Sequence, residues 1–196
     1  MNQPVQPDPP IESLSRVQVL AALGITAIIL LVIIRVWQFV GAPVMFPLGW
    51  SWGHLLMGVA LGALITAGSG LIYRLWPAYR ASSDRYLTMI LRALTWPDLI
   101  WLGLLPGTSE EMLFRGLLLP AFGIGWLGLG LSSLCFGAMH FSGSQQWPYV
   151  VWASVIGAAL GGSAIATGSL MVPLAAHVTT NILSGSLWKL ANGTSG

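Results

Sequence analysis

Charge is what this sequence has least of. Only 7% of its 196 residues are Asp, Glu, Lys or Arg, against about 25% in soluble domains, which is too little to clothe a water-soluble surface. Cysteine is nearly absent. Cys135 stands alone, which rules out an intrachain disulfide, and its place in an apolar run predicts a small buried side chain. The chain has no His-Glu-x-x-His or other short zinc spacing and no Gly-x-Ser-x-Gly elbow. Neither a local zinc motif nor an α/β-hydrolase nucleophile is therefore written in it.

What remains is apolar: 55% of the residues are hydrophobic, with a mean hydropathy of +0.77. These values predict an all-α membrane protein, since a spanning helix needs roughly 20 apolar residues. Residues 1–15, with Pro4, Pro7, Pro9 and Pro10, read as a disordered tail. Residues 16–190 read as a single transmembrane helical domain and 191–196 as a C-terminal tail. The expected spans are 16–40, 52–75, 96–122, 124–141, 147–166 and 169–190, about six in all, with both termini on the cytoplasmic side. The polar stretch before the first of them is followed by an apolar run long enough to span, so that helix is expected to be kept rather than cleaved as a signal peptide. Arg35, near its end, can snorkel. Gly58-x-x-x-Gly62 and Gly157-x-x-x-Gly161 predict close helix contacts. Eight tryptophans (37, 50, 52, 76, 96, 126, 147 and 188) fall near proposed span ends, as in an aromatic belt.

The formal charge is +2. Arg74, Arg80, Arg85 and Arg92 cluster around an amphipathic connection over 76–95, which fits positive-inside topology and gives no reason to expect nucleic acid as a partner. Of six acidic residues, Asp8, Glu12, Asp84 and Asp98 lie in the tail, the connection or at a span edge. Glu110 and Glu111 alone sit at membrane depth, where an ionisable group costs about 2.5–3.5 kcal/mol on insertion scales and marks a candidate site.

Their surroundings are informative. Pro106-Gly107-Thr-Ser is expected to interrupt the 96–122 stretch. A helix would then begin there with a Thr108-x-x-Glu111 capping box and Glu110 in its first turn, where the helix dipole favours a carboxylate and burial opposes its ionisation. Glu111 and Arg115, four apart, can pair on one face, whereas Glu110 points about 100° away and stays free. His54, at the mouth of the second span, reads as an interfacial residue. His140 shares a face with Phe136 at the end of the fourth span, and His177 shares one with Asn181 in the last. Polar side chains can simply hold a bundle together, but this set on three helices also fits general-base hydrolysis. In that chemistry a carboxylate and a His activate water and a donor pair stabilises an oxyanion.

Glu-Glu-x-x-x-Arg (Glu110, Glu111, Arg115), Phe-x-x-x-His (Phe136, His140) and His-x-x-x-Asn (His177, Asn181), in that order over about 96–190, resemble the CAAX protease and bacteriocin-processing family of intramembrane glutamate-dependent endopeptidases. The resemblance implies that Glu110 and His140 activate water, that His177 and Asn181 stabilise the oxyanion, and that Glu111 and Arg115 support the site. It implies a cavity open to the cytosolic side that uses no cofactor, although a zinc-dependent variant has also been held. The substrate implied is a protein or peptide at the bilayer. The short chain fits a prokaryotic member in the plasma membrane, which argues against a prenylated substrate. Two other classes use the same residues: a non-catalytic immunity or scaffold subunit, and an ion-coupled transporter, the latter lacking the paired half-segments of inverted repeats.

Overall fold

A computed structural model describes residues 14–41 and 45–193. The expected tails lie largely outside this range. Ten helical elements follow one another: α1 (Arg16–Gly41), α2 (Trp52–Leu75), α3 (Pro77–Leu91), α4 (Leu99–Glu111), a π-helical segment (Met112–Leu118), α5 (Leu119–Ala121), α6 (Trp126–Ala138), a 3-10 turn (Ser144–Gln146), α7 (Trp147–Thr167) and α8 (Met171–Asn192). No strand occurs among the described residues. Because α4, the π segment and α5 join end to end, the six expected spans appear as six rods, with α3 between the second and third. Three stretches, α1, α2 and Ser144–Thr167, are long and apolar enough to cross a membrane, and α6 is a shorter apolar helix.

Polarity is turned inside out relative to a soluble domain. Apolar side chains such as Ile28, Phe39, Leu64 and Leu134 face outward, as hydrocarbon allows, while Glu110, Glu111, Arg115 and His177 are buried. With no hydrophobic force between helices in lipid, close backbone approach holds the rods together. Helix α8 lies between α2 and α4, α7 packs on α6, and α1 flanks α4. Both Gly-x-x-x-Gly expectations are met. A Cβ at Gly62 would lie 2.5 Å from the Ala176 carbonyl oxygen on α8, and one at Gly161 would lie 2.6 Å from Leu129 on α6. Gly103 and Gly107 on α4 make a third such seam, against Ile182 and Val178 of α8. Gly62→Val therefore has to push two backbones apart and is expected to lose about 1–3 kcal/mol in detergent unfolding titrations. Gly70→Ala, whose Cβ meets nothing within 4 Å, serves as the unaffected control.

Two expectations are corrected. Pro106-Gly107 does not interrupt the chain: α4 runs through Pro106, and neither Thr108 nor Glu111 forms a cap. Glu110 thus sits in the last turn of α4 and has no helix N-terminus beneath it. Cys135 is exposed on the outer face of α6, because Ser132, Ser133 and Phe136 take the inward positions. The expected amphipathic connection over 76–95 is helix α3, which packs on α2, α7 and α8 and closes one wall of the central cavity.

At one end of the bundle, Arg16 donates Nε and Nη2 to the two carboxylate oxygens of Asp98, both at 2.7 Å, and Thr95 donates its N–H and hydroxyl to the same group. The Arg16 guanidinium holds the Asp98 carboxyl well below the usual carboxylate range. The contact ties the start of α1 to the start of α4.

Candidate active site

The Glu111–Arg115 pair forms as its i,i+4 spacing predicts, with Arg115 Nη1 donating to Glu111 Oε1 at 2.7 Å. It lies where α4 widens into the π segment. Pro120, just beyond, brings no N–H and a ring that crowds the carbonyl four residues back, and the i→i+5 turns upstream accommodate it. Such segments concentrate at functional sites. Arg115, fully buried, also donates Nη2 to the Gly157 carbonyl at 3.0 Å, and its guanidinium lies 4.2 Å from the centre of the Phe136 ring. The close approach of α7 at Gly157 is thus part of the site.

Glu111 does a second task that its spacing from Arg115 did not reveal. His177 Nδ1 lies 2.8 Å from the same Oε1. That oxygen already accepts from Arg115, so the His177 ring is the donor, its Nδ1–H fixed and its Nε2 turned elsewhere. His177 itself lines the cavity. An Arg–Glu–His relay therefore orients His177 from across the bundle, as carboxylates orient catalytic or metal-binding imidazoles.

His140 follows the end of α6 and is fixed differently. Its Nδ1 contacts the Phe136 carbonyl at 2.9 Å; a carbonyl only accepts, so Nδ1 is the donor and Nε2 is not engaged by this bond. The Phe136 ring lies between the two histidines, 4.9 Å from His140 and 5.6 Å from His177.

Asn181 lies one turn beyond His177 on α8, as expected, and its Nδ2 donates to the Leu102 carbonyl at 3.3 Å. Leu102 is the residue whose carbonyl would accept the N–H at position 106, and Pro106 has none. Asn181 satisfies the acceptor that Pro106 orphans, which explains how α4 continues through a proline at this depth.

Glu110, His140, His177 and Asn181 line one cavity of about 170 Å³, with Phe136 and Pro106 in its wall. Glu110 and His140 also line a second cavity of about 260 Å³ between α1 and α3. Glu110 Oε2 is buried without a hydrogen-bond partner among the described residues. Among the described residues no three His, Cys, Asp or Glu side chains gather as a metal-holding group. His54 stands apart from the site, at the start of α2.

Sequence reasoning missed the tyrosines. Tyr86 of α3 and Tyr149 of α7 stack at 4.4 Å and lie 6.3 and 6.0 Å from His140. Tyr79, seven residues before Tyr86 and on the same face of α3, also stacks on Tyr149, and burial pushes its phenol up to about 12. The seven-residue Tyr spacing was the available signal.

An all-helical bundle with apolar flanks and a buried acid–histidine cavity defines an integral membrane protein built around a polar chamber. Residues 92–183 match the family model described as type II CAAX prenyl endopeptidase Rce1-like, so the motif-bearing part of the chain is Rce1-like, in agreement with the resemblance to the CAAX protease and bacteriocin-processing family. The uncharacterized protein YpbD of Bacillus subtilis (strain 168) is 30% identical over 120 residues, which cover 61% of each chain. The chain thus spans about three fifths of the length of that curated relative. No solved structure matches.

Proposed function

We propose that the protein is an intramembrane endopeptidase that hydrolyses a peptide bond in a membrane-associated protein or peptide with a glutamate-activated water. The observation that carries this reading is the convergence of Glu110, His140, His177 and Asn181, from three separate segments, on one buried cavity. Glu110 takes a proton from water held by the free Nε2 of His140. The water oxygen bonds to the scissile carbonyl carbon, and the C=O π pair moves onto oxygen. His177 and Asn181 face that oxyanion. The C–N bond then breaks, its pair goes to nitrogen, and Glu110 returns the proton to the amine. The substrate enters from the arginine-bearing end of the bundle, because α3, which carries Arg80 and Arg85, walls the cavity; positive-inside topology makes that the cytoplasmic side, consistent with a prokaryotic plasma-membrane enzyme. No cofactor takes part in this scheme.

The test is cleavage of quenched fluorescent peptides, a farnesylated CaaX peptide among them, by detergent-purified wild type and Glu110→Gln, each with and without a chelator. Cleavage that survives the chelator and falls to background in a folded Glu110→Gln protein is the expected result. Loss of cleavage on chelation would move the assignment to a zinc-dependent peptidase, and an active Glu110→Gln protein would remove Glu110 as the base.

A further inference from the structure

The oxyanion site, taken with its hydrogen bonds, is short of donors. Asn181 has committed an N–H to the Leu102 carbonyl, and His177 has committed Nδ1–H to Glu111, so its Nε2 donates only when the ring carries a second proton. A tetrahedral oxyanion is best held by two or more preorganised donors. The cavity wall holds another O–H group. Tyr86 lines both the inner cavity and the α1–α3 cavity, and Glu110, His140 and Pro106 line both with it. It is thus at the junction where those residues meet any substrate. Its side chain is half-buried rather than sealed in the core, which leaves the phenol within reach of a molecule in the cavity it lines. Tyr149 stacks on its ring at 4.4 Å with an interplanar angle of 28°, which fixes the plane in which the hydroxyl can point.

We propose that Tyr86 is a further catalytic residue of the reaction proposed above, its phenol O–H donating a hydrogen bond to the scissile carbonyl oxygen as that oxygen gains charge, and that Tyr149 positions it by stacking. The proton stays on the phenol throughout: the oxygen receives the π pair of the C=O bond, the hydrogen bond shortens, and on collapse the pair returns to re-form the carbonyl as the C–N bond breaks. Burial first, and the carboxylate of Glu110 second, push the Tyr86 phenol upward, which keeps it a donor at neutral pH. The inference rests on the endopeptidase reading and adds α3, outside the motif-bearing part of the resemblance, to the machinery.

The test compares kcat and KM for the quenched fluorescent peptide that wild type cleaves best, using wild type, Tyr86→Phe and, as a control outside the site, Gly70→Ala, whose Cβ meets nothing within 4 Å. Tyr86→Phe keeps the ring, so the stack survives and the thermal midpoint in detergent should not move. Tyr86→Phe is expected to lower kcat by about 10²-fold with KM unchanged, the usual loss on removing one oxyanion donor, while Gly70→Ala stays at the wild-type rate. Wild-type kcat in Tyr86→Phe, or a rise in KM alone, overturns the proposal while leaving Glu110→Gln inactive and the endopeptidase reading intact. If Glu110→Gln is active, or no peptide is cleaved by wild type, the endopeptidase reading falls and this inference falls with it.

Discussion

Arg115→Met is expected to cost about 3–5 kcal/mol and to leave little folded protein in the membrane, because removing one partner of a buried ion pair strands the other. Arg115 has no exposed surface, and three groups depend on it: the Glu111 carboxylate, the Gly157 carbonyl and the face of Phe136. Without the guanidinium, Glu111 keeps only His177 as a donor, and Glu111 Oε2 is already without a partner among the described residues. Lysine cannot substitute. Its compact ammonium lacks the planar fork that reaches a carboxylate and a carbonyl while lying over a ring. The double variant Glu111→Gln/Arg115→Met buries no charge at this position and should unfold later than Arg115→Met alone in an SDS titration. It should still cleave no peptide, because His177 has lost the carboxylate that orients it. Equal midpoints for the single and double variants would show that the pair does not couple and that the loss came from packing.

This pair also marks how far local spacing carries. The i,i+4 distance from Glu111 to Arg115 was legible because helical geometry alone fixes it. The third member of the relay, His177, is 66 residues away, and no local rule reaches that far. The rods were legible for a related reason: runs of twenty apolar residues are set by bilayer thickness, and α2 fell where its run predicted. Which face of a rod is buried was not. In a soluble helix a broad polar stripe reveals the phase, but on α6 the packed face is marked only by the small Ser132 and Ser133, with Gly128, Phe136 and Gly137 beside them. Cys135 and Phe136 are equally hydrophobic by composition, and only the chain's neighbours decide that Phe136 points in and Cys135 out.

Tyr86 was hidden for a different reason. The connection over 76–95 was legible as amphipathic and arginine-bearing, but an amphipathic pattern does not say which elements its inward face meets. Its inward face carries Tyr79 and Tyr86 with Ser82 and Ser83 between them. Ser82 donates to the side chain of Gln146 in the turn before α7, at 2.8 Å. A weakly amphipathic helix carrying both kinds of face closes a polar cavity well, since hydroxyls and rings can line the chamber while arginines stay in water.

Pro106 is the clearest case in which a local rule lost to a distant side chain, and it leads to the most diagnostic variant. Asn181→Ala is expected to have two effects with separate causes. Stability should fall by about 1–3 kcal/mol, because the Leu102 carbonyl that Pro106 leaves open loses its donor, and, in the proposed mechanism, kcat should fall by about 10²–10³-fold through loss of an oxyanion donor. Pro106→Ala separates the two. Alanine restores an N–H four residues after Leu102, the carbonyl takes its ordinary helical bond, and Asn181 is released. In that background Asn181→Ala should no longer cost stability yet should still cost kcat, as read by SDS titration and peptide cleavage on the same preparations. A stability loss that persists in the Pro106→Ala background would mean that the Leu102 contact is not what Asn181 holds. Recovery of both stability and kcat would mean that Asn181 serves the helix alone, and the oxyanion would then rest on His177 and Tyr86.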